Sequence, residues 1–373
     1  MLPQGIYFGS LLAPNHPRRC SSLPPLLWRQ RSSSIVAMVA TTDSSKIVPV
    51  LSISEVTERL KSHSHDAQKT YRAMYSSLID GITTDPAAMV IPMDDHMVHR
   101  GHGVFDTATI ADGYLYELDA HLDRFHKSAA AAKIQPPFDR ATMREILIQT
   151  VASSGCKLGS LRYWLSAGPG GFGLSSSECT MSTLYAVVLS LPAIPDPDMG
   201  VTVITASTPM KHPQFATMKN VNYLPNALSK LEAESQGAFA AIWLDDEGFV
   251  AEGPNVNVAF ISKSRELLVP EFDKILSGCT ARRTVALAPK LVESGVLSAV
   301  KVTKISPEQA KDCPEMMLIG STLPITPVVK WDGQVIGNGE AGPATIALRN
   351  LVVDDILNGP SALRIPVPYT GEA

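Results

Sequence analysis

The chain has 373 residues, of which 45% are hydrophobic and 18% charged, so it can bury a sizeable core and suits two domains of ordinary size. A formal net charge of -4 excludes the broad basic surface that binding to a nucleic acid backbone requires. No apolar run approaches the roughly 18 to 20 residues needed to cross a bilayer, which excludes a membrane span.

The first 42 residues have the composition of a targeting segment. No acidic residue precedes Asp43, while arginines alternate with serines and no apolar h-region is present. We therefore predict that residues 1–42 are a transit peptide for import into the chloroplast, with the mitochondrion as the alternative. The five cysteines form neither a C-x-x-C pair nor zinc spacing, which indicates a reducing compartment, and we predict no metal site.

The next part of the chain divides into an extension, a small domain and a linker. Helix-like spacing of apolar residues over 53–79 predicts a helical extension, assigned to residues 43–84. Apolar runs at 104–116, 161–167 and 185–191 alternate with helical stretches at 120–134 and 140–154, which predicts a small α/β domain over 85–191. Three prolines within 192–199 cannot sit inside regular structure, so this segment is the predicted linker.

The remaining residues, 200–373, form the larger predicted domain. A strand at 201–206 is followed by a helix at 225–236, which Pro225 opens and Gly237 ends. Residues 239–244 and 249–252 flank a turn and predict a hairpin, and another strand follows at 256–261.

Lys219 is the first candidate for chemistry. It precedes the helix opened by Pro225, close to a positive helix end that disfavours an ammonium group. A free lysine has a pKa of ~10.4 and is almost fully protonated at neutral pH, whereas an amine that attacks a carbonyl must be neutral. Most single lysines are solvated surface residues, so the interpretation depends on the residues around it.

Glu252 supplies that context on the second strand of the predicted hairpin. It begins the segment Glu-Gly-Pro-Asn-Val-Asn, which ends at Asn257 and leads into an apolar strand. A carboxylate here can keep a pyridine nitrogen protonated, so that the ring accepts electrons. Taken alone, Glu252 could equally be a solvent-facing hairpin residue.

A third pattern predicts a phosphate site. Gly278, Cys279 and Thr280 directly precede the helical run 281–291, so that Thr280 can cap this helix and its free N–H groups can face an anion. The helix dipole and the cap together contribute only about 1 to 2 kcal/mol, so a dianion also needs an arginine. Arg124 is the candidate for that role, and further hydroxyl groups come from Ser321 and Thr322.

Together these motifs resemble the class IV, or fold type IV, aminotransferases over about residues 88–351. The segments that carry the resemblance are Gly103-Val-Phe-Asp-Thr107, Leu118-Asp-Ala-His-Leu-Asp-Arg124, Lys219-Asn-Val-Asn-Tyr223, Glu252-Gly-Pro-Asn-Val-Asn257, Ser277-Gly-Cys-Thr280 and Ser321-Thr322. The resemblance implies a two-domain α/β fold, with a small N-terminal domain and a larger C-terminal domain that has a barrel-like sheet. It also implies pyridoxal 5′-phosphate as cofactor, small amino and keto acids as substrates, and a homodimer.

The resemblance assigns roles residue by residue. Lys219 is similar to the lysine that holds the cofactor and moves the proton, and Glu252 to the partner of the ring nitrogen. The remaining predicted cofactor contacts, to the phosphate, the ring hydroxyl or the walls of the site, are Arg124, Tyr223, Asn257, Cys279, Thr280, Ser321 and Thr322. Thr107 is similar to a threonine that assists proton transfer in the lyases of the family.

The substrate remains open between three alternatives. We predict transamination of small D-amino acids with pyruvate or 2-oxoglutarate as acceptor. Bacterial D-amino-acid transaminases hold the substrate carboxylate with an Arg-x-His pair, and Phe172 and Leu174 occupy those positions here. The carboxylate must therefore be held differently. Aminodeoxychorismate lyase activity, as main or second function, and branched-chain L-amino-acid transamination are the alternatives.

Overall fold

The computed structural model describes residues 48–64, 70–191 and 200–369. The predicted transit peptide, 1–42, and the predicted linker, 192–199, lie outside the described residues. The described residues from Leu51 onward belong to one compact unit. No helix in the described ranges is both long and apolar enough to cross a membrane.

The first sheet has seven strands, all paired antiparallel. The strands are β1 (Tyr71–Ser76), β2 (Gly81–Thr83), β3 (Gly103–Ala111), β4 (Tyr114–Tyr116), β5 (Gly159–Ser166), β6 (Thr183–Ser190) and β15 (Arg364–Pro366). Their order in the sheet is β15-β4-β3-β5-β6-β1-β2. Both the first and the last of these strands in sequence therefore come from outside the predicted 85–191 domain.

The second sheet has eight strands and mixes parallel and antiparallel pairs. The strands are β7 (Val201–Thr205), β8 (Ala240–Ile242), β9 (Asn257–Ile261), β10 (Glu266–Val269), β11 (Ala299–Val302), β12 (Glu315–Ile319), β13 (Thr326–Trp331) and β14 (Gln334–Val335). Their order is β11-β10-β9-β12-β13-β7-β8, with β14 paired to β13. Every residue of β9 and β12 is buried, as expected for strands covered on both faces.

Helices cover these sheets. They are α1 (Ile53–His63), α2 (His96–Arg100), α3 (Leu118–Ala131), α4 (Arg140–Ser154), α5 (Pro213–Ala216), α6 (Leu224–Ser235), α7 (Cys279–Leu287), α8 (Pro289–Glu293), α9 (Pro307–Lys311) and α10 (Pro343–Asn358). Leu122, Phe125 and Leu147 of α3 and α4 pack on the first sheet. Residues of α7 and α10, such as Leu287 and Leu348, pack on one face of the second sheet.

The mixed α/β fold class is confirmed, and the division into domains stays a prediction. The helix predicted over 53–79 is observed at Ile53–His63 and is wrong at Tyr71–Ser76, which form a strand of the first sheet. That strand, β1, pairs with β2 and with β6. Pairing with β6, which is distant in sequence, outweighs the helix-like spacing of the local apolar residues. The apolar run at 104–116 is a hairpin of β3 and β4 that turns at Asp112 and Gly113.

Candidate active site

One cavity of about 440 Å³ brings the predicted site residues together. All ten of them line it: Thr107, Arg124, Lys219, Tyr223, Glu252, Asn257, Cys279, Thr280, Ser321 and Thr322. They come from β3, α3, the loop before α6, the hairpin before β9, the first residue of β9, the start of α7 and the loop after β12. Segments more than 200 residues apart thus meet at one place.

The backbone of Lys219 is fixed against the first sheet. Its carbonyl accepts a hydrogen bond of 2.9 Å from the N–H of Phe105, and its own N–H donates to Ser128 Oγ at 3.2 Å. The next residue, Asn220, forms a bridge with Val104. The short helix α5, which the sequence did not predict, precedes this loop. Lys219 therefore sits on a rigid support at the floor of the cavity.

The Lys219 amine is poised to lose its proton. Burial lowers its pKa to about 8, and the nearby charge of Arg124 acts in the same direction. The effect of the helix end that the sequence predicted stays a prediction. Its Nζ atom lies 4.6 Å from the centre of the Phe105 ring. With this pKa about a tenth of the amine is neutral at pH 7, compared with well under about 0.1% of a free lysine.

Glu252 is buried across the same cavity. The predicted hairpin places it, because its carbonyl accepts from Trp243 N–H at 2.9 Å. Its carboxylate accepts from the Leu276 N–H at 3.3 Å and from Asn257 Nδ2 at 3.4 Å. Burial raises its pKa to about 8, against the hydrogen bond from Leu276 and the charge of Lys211. A cationic ring nitrogen next to this carboxyl group would stabilise its ionised form.

The start of α7 forms a cup for an anion. Its N-cap is Gly278, which offers no side-chain cap, so the first-turn N–H groups are available to a ligand in the cavity. A Cβ atom at Gly278 would come within 2.0 Å of Asn257 Oδ1, which explains the glycine. The prediction that Thr280 caps this helix is wrong, because the helix begins at Cys279 and Thr280 lies inside its first turn.

Hydroxyl groups complete the cup. Thr280 Oγ1 lies 3.4 Å from Ser321 Oγ, and the Ser321 carbonyl accepts a hydrogen bond of 2.8 Å from Thr109 Oγ1. Thr322 is the next residue of the same loop and lines the cavity. The free N–H groups, the hydroxyl groups and the space left by Gly278 fit the phosphate of the predicted cofactor.

Arg124 is held in place by a buried carboxylate. Its Nη2 and Nε atoms donate to the two oxygens of Asp106 at 2.6 and 2.9 Å, and its Nη1 donates to the Ser277 carbonyl at 3.3 Å. Asp106 also accepts from, or shares a proton with, His121 Nδ1 at 2.8 Å. The arginine is therefore positioned beside the cup with much of its hydrogen-bonding capacity already used.

Three further cations that the motifs did not reveal, Arg162, Lys211 and Lys230, line the cavity. Arg162 is exposed on β5, and Lys211 lies with its Nζ 4.8 Å from the Tyr223 ring centre. The sequence did contain a signal for Arg162, because this charged residue interrupts an otherwise apolar strand. It contained no such signal for Lys211. Phe172 and Leu174, at 60% and 84% exposure, do not line the cavity of this chain.

Comparison with known proteins places the chain in a family. The model of the family "Amino-transferase class IV" matches residues 103–331. The chain is 56% identical over 347 residues to the chloroplastic D-amino-acid transaminase of Arabidopsis thaliana, covering 93% of this chain and 92% of that protein. It is 27% identical to the D-alanine aminotransferase of Bacillus licheniformis, covering 75% and 97%.

Solved structures share the fold. The T.th. branched-chain amino acid aminotransferase, solved with pyridoxamine 5′-phosphate, superposes with a TM-score of 0.74 at 22% identity, covering 80% of this chain and 99% of that one. The Escherichia coli branched-chain enzyme gives 0.73 at 20% identity, covering 80% and 100%. Fold and cavity thus define an aminotransferase scaffold with a lysine at its centre. The chain belongs to the class IV aminotransferases, as the sequence predicted.

Proposed function

We propose that this chain is a pyridoxal phosphate enzyme that transfers amino groups from small D-amino acids to pyruvate or 2-oxoglutarate. The observation that carries the proposal is the cavity that holds both Lys219, whose pKa is lowered to about 8, and the buried Glu252. The preference for D-amino acids rests on the 56% identity to a D-amino-acid transaminase.

The residues that line the cavity have different roles in this reaction. When bound, pyridoxal phosphate supplies an aldehyde that takes up the donor's amino group and a cationic ring that accepts electron density. The start of α7, with Thr280, Ser321 and Thr322, would hold the phosphate, and Arg124 would add positive charge beside it. Glu252 would keep a proton at the ring nitrogen, and Asn257 holds the Glu252 carboxylate in place.

Lys219 has two tasks in this scheme. Its neutral amine would hold the cofactor, and the same amine would carry a proton to and from the donor's Cα. The hydrogen bond from the Phe105 N–H to the Lys219 carbonyl fixes the backbone that carries this side chain. The ring centre of Tyr223 lies 5.1 Å from that of Phe105. Tyr223 would therefore contact the cofactor ring on the side of Phe105.

A panel of amino donors tests the proposal. Purified protein loaded with pyridoxal phosphate is given D-alanine, L-alanine or L-leucine with 2-oxoglutarate, and the keto product and the chirality of the glutamate are measured. We expect kcat/KM for D-alanine to exceed that for both L-amino acids by about 100-fold. Faster turnover of L-leucine would favour the branched-chain alternative and contradict the proposal. Lys219→Ala should fold, as judged by circular dichroism, and show no turnover.

A lyase acting on aminodeoxychorismate is the second candidate. The observation that favours it is the position of Thr107, which lines the cavity on the same face of β3 as Phe105. The Phe105 ring centre lies 4.6 Å from the Lys219 Nζ atom. We expect slow release of pyruvate from aminodeoxychorismate without an amino acceptor, and its loss in Thr107→Val with transamination retained. No pyruvate release from the unchanged protein would exclude this activity.

We also propose a homodimer and import into the chloroplast, as the family resemblance and residues 1–42 imply. Large apolar side chains on α6, Leu224, Leu228 and Leu231, are exposed and offer area for subunit contact. Light scattering should give about twice the chain mass of 40.0 kDa. Residues 1–42 fused to a reporter should enter isolated chloroplasts rather than mitochondria, and the opposite result would favour the mitochondrial alternative.

A further inference from the structure

We propose that His96, His99 and His102 form a proton-sensitive clasp, which holds residues 168–174 against α2 when the rings are neutral and loosens them in mildly acidic solution. Residues 168–174 are the first part of the loop between β5 and β6. The three histidines stand at every third position from the start of α2 to the residue before β3, and they are among the described residues that do not line the cavity. The loosening does not depend on the proposed function, whereas the loss of activity expected from it rests on that function.

Backbone hydrogen bonds join the loop to the segment that carries the histidines. The N–H of His96 donates to the Gly168 carbonyl at 2.9 Å, and the N–H of Ala167 donates to the His102 carbonyl at 3.1 Å. The Sγ atom of Cys179 donates to the same Gly168 carbonyl at 3.3 Å from the other end of the loop. The beginning of the loop is therefore fixed at both outer histidines of the clasp.

Arg100 binds the loop at a second place. Its Nη2 atom donates to the Phe172 carbonyl at 2.6 Å, and its Nε atom donates to the Gly173 carbonyl at 3.2 Å. The ring centre of His99 lies 5.1 Å from that of Phe172. The position of residues 172 and 173 therefore depends on where the Arg100 guanidinium lies.

The hydrogen bonds of His96 and His102 define which ring nitrogens carry hydrogen in the neutral pair. Nε2 of His102 lies 2.9 Å from the Ala132 carbonyl, and the two Nδ1 atoms of the pair lie 3.2 Å apart. A carbonyl only accepts, so Nε2 of His102 donates, its Nδ1 accepts, and Nδ1 of His96 donates. Nε2 of His96 is then left without hydrogen. This ring is 3% exposed, and its Nε2 has no hydrogen-bond partner among the described residues.

An added proton places a hydrogen at that same atom. The bond between the rings and the bond to the Ala132 carbonyl each use one hydrogen, so a third one lies on His96 Nε2, whichever ring carries the charge. The ring centre of His99 lies 5.2 Å from that of His96. The new cation repels the Arg100 guanidinium and competes with it for the Gly173 carbonyl, which both side chains face. Protonation therefore weakens the hold of Arg100 on the loop.

Burial lowers the pKa of His96, and positive charge at His102, His99 and Arg100 lowers it further, against the Gly173 carbonyl. The closed arrangement thus favours the neutral ring. Its stability is fully present above the ordinary histidine pKa of ~6.5 and is lost as the pH falls below that value. A loosened loop, in which the ring meets water, binds the proton more readily and gains population in acid.

The acids of this region do not bind the added proton. Asp95 is fully buried, and its carboxylate accepts from the hydroxyl groups of Ser166 and, at 2.7 Å, Tyr185. The Glu178 carboxylate lies against the loop, where a Cβ atom at Gly171 would collide with it. Neither carboxylate accepts a hydrogen bond from the His96 ring. The charge on the pair is therefore not compensated by an ion pair among the described residues.

The clasp is also joined to the support of the lysine. The N–H of Val221 donates to the Gly103 carbonyl at 3.1 Å, and Nδ2 of Asn222 donates to the Gly101 carbonyl at 3.2 Å. The segment that carries the histidines thus holds the loop on one side and the residues after Lys219 on the other. We therefore expect a loosened clasp to lower activity as well.

Hydrogen–deuterium exchange of the peptide that covers residues 168–174 tests the clasp. It is followed by mass spectrometry on the full chain loaded with pyridoxal phosphate, from about pH 5.5 to about pH 7.5, and is expressed as protection relative to an unstructured peptide at the same pH. The variants are His96→Gln, His102→Gln and Arg100→Gln. The matched control is His63→Gln, which removes an exposed histidine from α1.

We expect protection in the unchanged protein to fall about tenfold between about pH 7.5 and about pH 5.5, as one unit of pKa shift produces. His96→Gln and His102→Gln should vary less than about twofold, because glutamine does not titrate. Arg100→Gln should show low protection at every pH, and His63→Gln should match the unchanged protein. The ratio of kcat/KM of His96→Gln to that of the unchanged protein should rise about fivefold toward about pH 5.5.

Three results would overturn the inference. These are constant protection in the unchanged protein, the same pH dependence in both histidine variants as in the unchanged protein, and low protection at every pH in both, which would mean that the rings only fill space. The exchange measurement does not require turnover. A colourless, inactive protein that still shows the expected exchange would therefore overturn the proposed function and leave the clasp standing.

Discussion

The reactivity of Lys219 comes from a balance between burial and charge at a few atoms. Removing an ammonium from water disfavours its charged form, and the positive Arg124 nearby has the same effect. Asp106 and Glu252 oppose the change, but Asp106 is bound to Arg124, and burial raises the pKa of Glu252 to about 8. The lysine pKa therefore falls to about 8, within reach of physiological pH.

This shift predicts a pH dependence for cofactor attachment. The neutral amine is the reactive form, and its fraction rises as the pH increases through the pKa of about 8. The rate at which cofactor-free protein takes up pyridoxal phosphate, followed by absorbance in a stopped-flow instrument, should thus rise between pH 7 and 9 and then level off. A free lysine derivative is the control, with its rise centred near ~10.4. A protein midpoint near that value would contradict the account.

Sequence reasoning at the residue scale found the motif residues and missed the cations without a motif. Lys219, Glu252 and Thr280 stand in segments with a fixed order, so their convergence could be predicted. Arg162 reaches the cavity only because β5 pairs with β3. Lys211 reaches it through a loop whose path cannot be predicted from the local sequence.

At the scale of elements, α7 depends on one close contact. Gly278 precedes the helix in an extended conformation, and a Cβ atom there would come within 2.0 Å of Asn257 Oδ1. Asn257 cannot easily move, because its Nδ2 atom donates to Leu276 and Glu252. The phosphate cup and the carboxylate that faces the ring are therefore coupled through a single asparagine.

Gly278→Ala should consequently weaken cofactor binding. Overpacking of a tight site costs about 1 to 3 kcal/mol, so we expect the dissociation constant of pyridoxal phosphate to rise about tenfold or more in a spectroscopic titration. Gly81→Ala is the matched control, because its nearest contact is an ordinary 3.6 Å. Equal dissociation constants for the two variants would show that the contact does not shape the cup.

A second contact joins α3 to β3. Asp106 is completely buried and receives hydrogen bonds from Arg124 of α3, with His121 beside it. Arg124 and His121 hold the pKa of Asp106 well below its usual range despite its burial, which by itself would raise that pKa. The ion cluster anchors the helix that carries Arg124 toward the phosphate cup.

Asp106→Asn should destabilise the fold markedly. Leaving Arg124 buried without its counter-charge costs about 3 to 5 kcal/mol in the free energy of unfolding, measured with urea. Asp119→Asn is the control, since Asp119 is about 40% exposed and its pairs with Arg140 and Arg144 are worth at most about 1 kcal/mol. Similar losses in both variants would contradict the role given to this cluster.

Elements with complete local signals were predicted well. The helix predicted at 140–154 has the observed bounds, capped by Asp139 and ended by Gly155, and α6 differs by one residue at each end. Errors arose where distant partners decide the outcome. β1 was taken for helix because its antiparallel partner β6 lies more than 100 residues away. Thr280 was assigned to the N-cap position of α7, which Gly278 occupies.

At the scale of the whole molecule, segments of both sheets contribute residues to the site. β3 and β5 of the first sheet supply Phe105, Thr107 and Arg162, while the hairpin before β9 and the start of α7 supply Glu252 and Cys279. The C-terminal strand β15 returns to pair with β4 and closes the chain onto the first sheet. No local sequence pattern shows that such distant strands belong to the same sheet. The overall fold was therefore predicted from the family resemblance and not from periodicity.

The central claim is that the amine at position 219 carries the cofactor, and chemical trapping tests it most directly. Loaded protein is treated with borohydride, digested, and its peptides are analysed by mass spectrometry, with Lys211 and Lys230 as internal controls because both also line the cavity. We predict a single pyridoxyl adduct, on Lys219. An adduct on either of the other two lysines, or no adduct at all, would contradict the account.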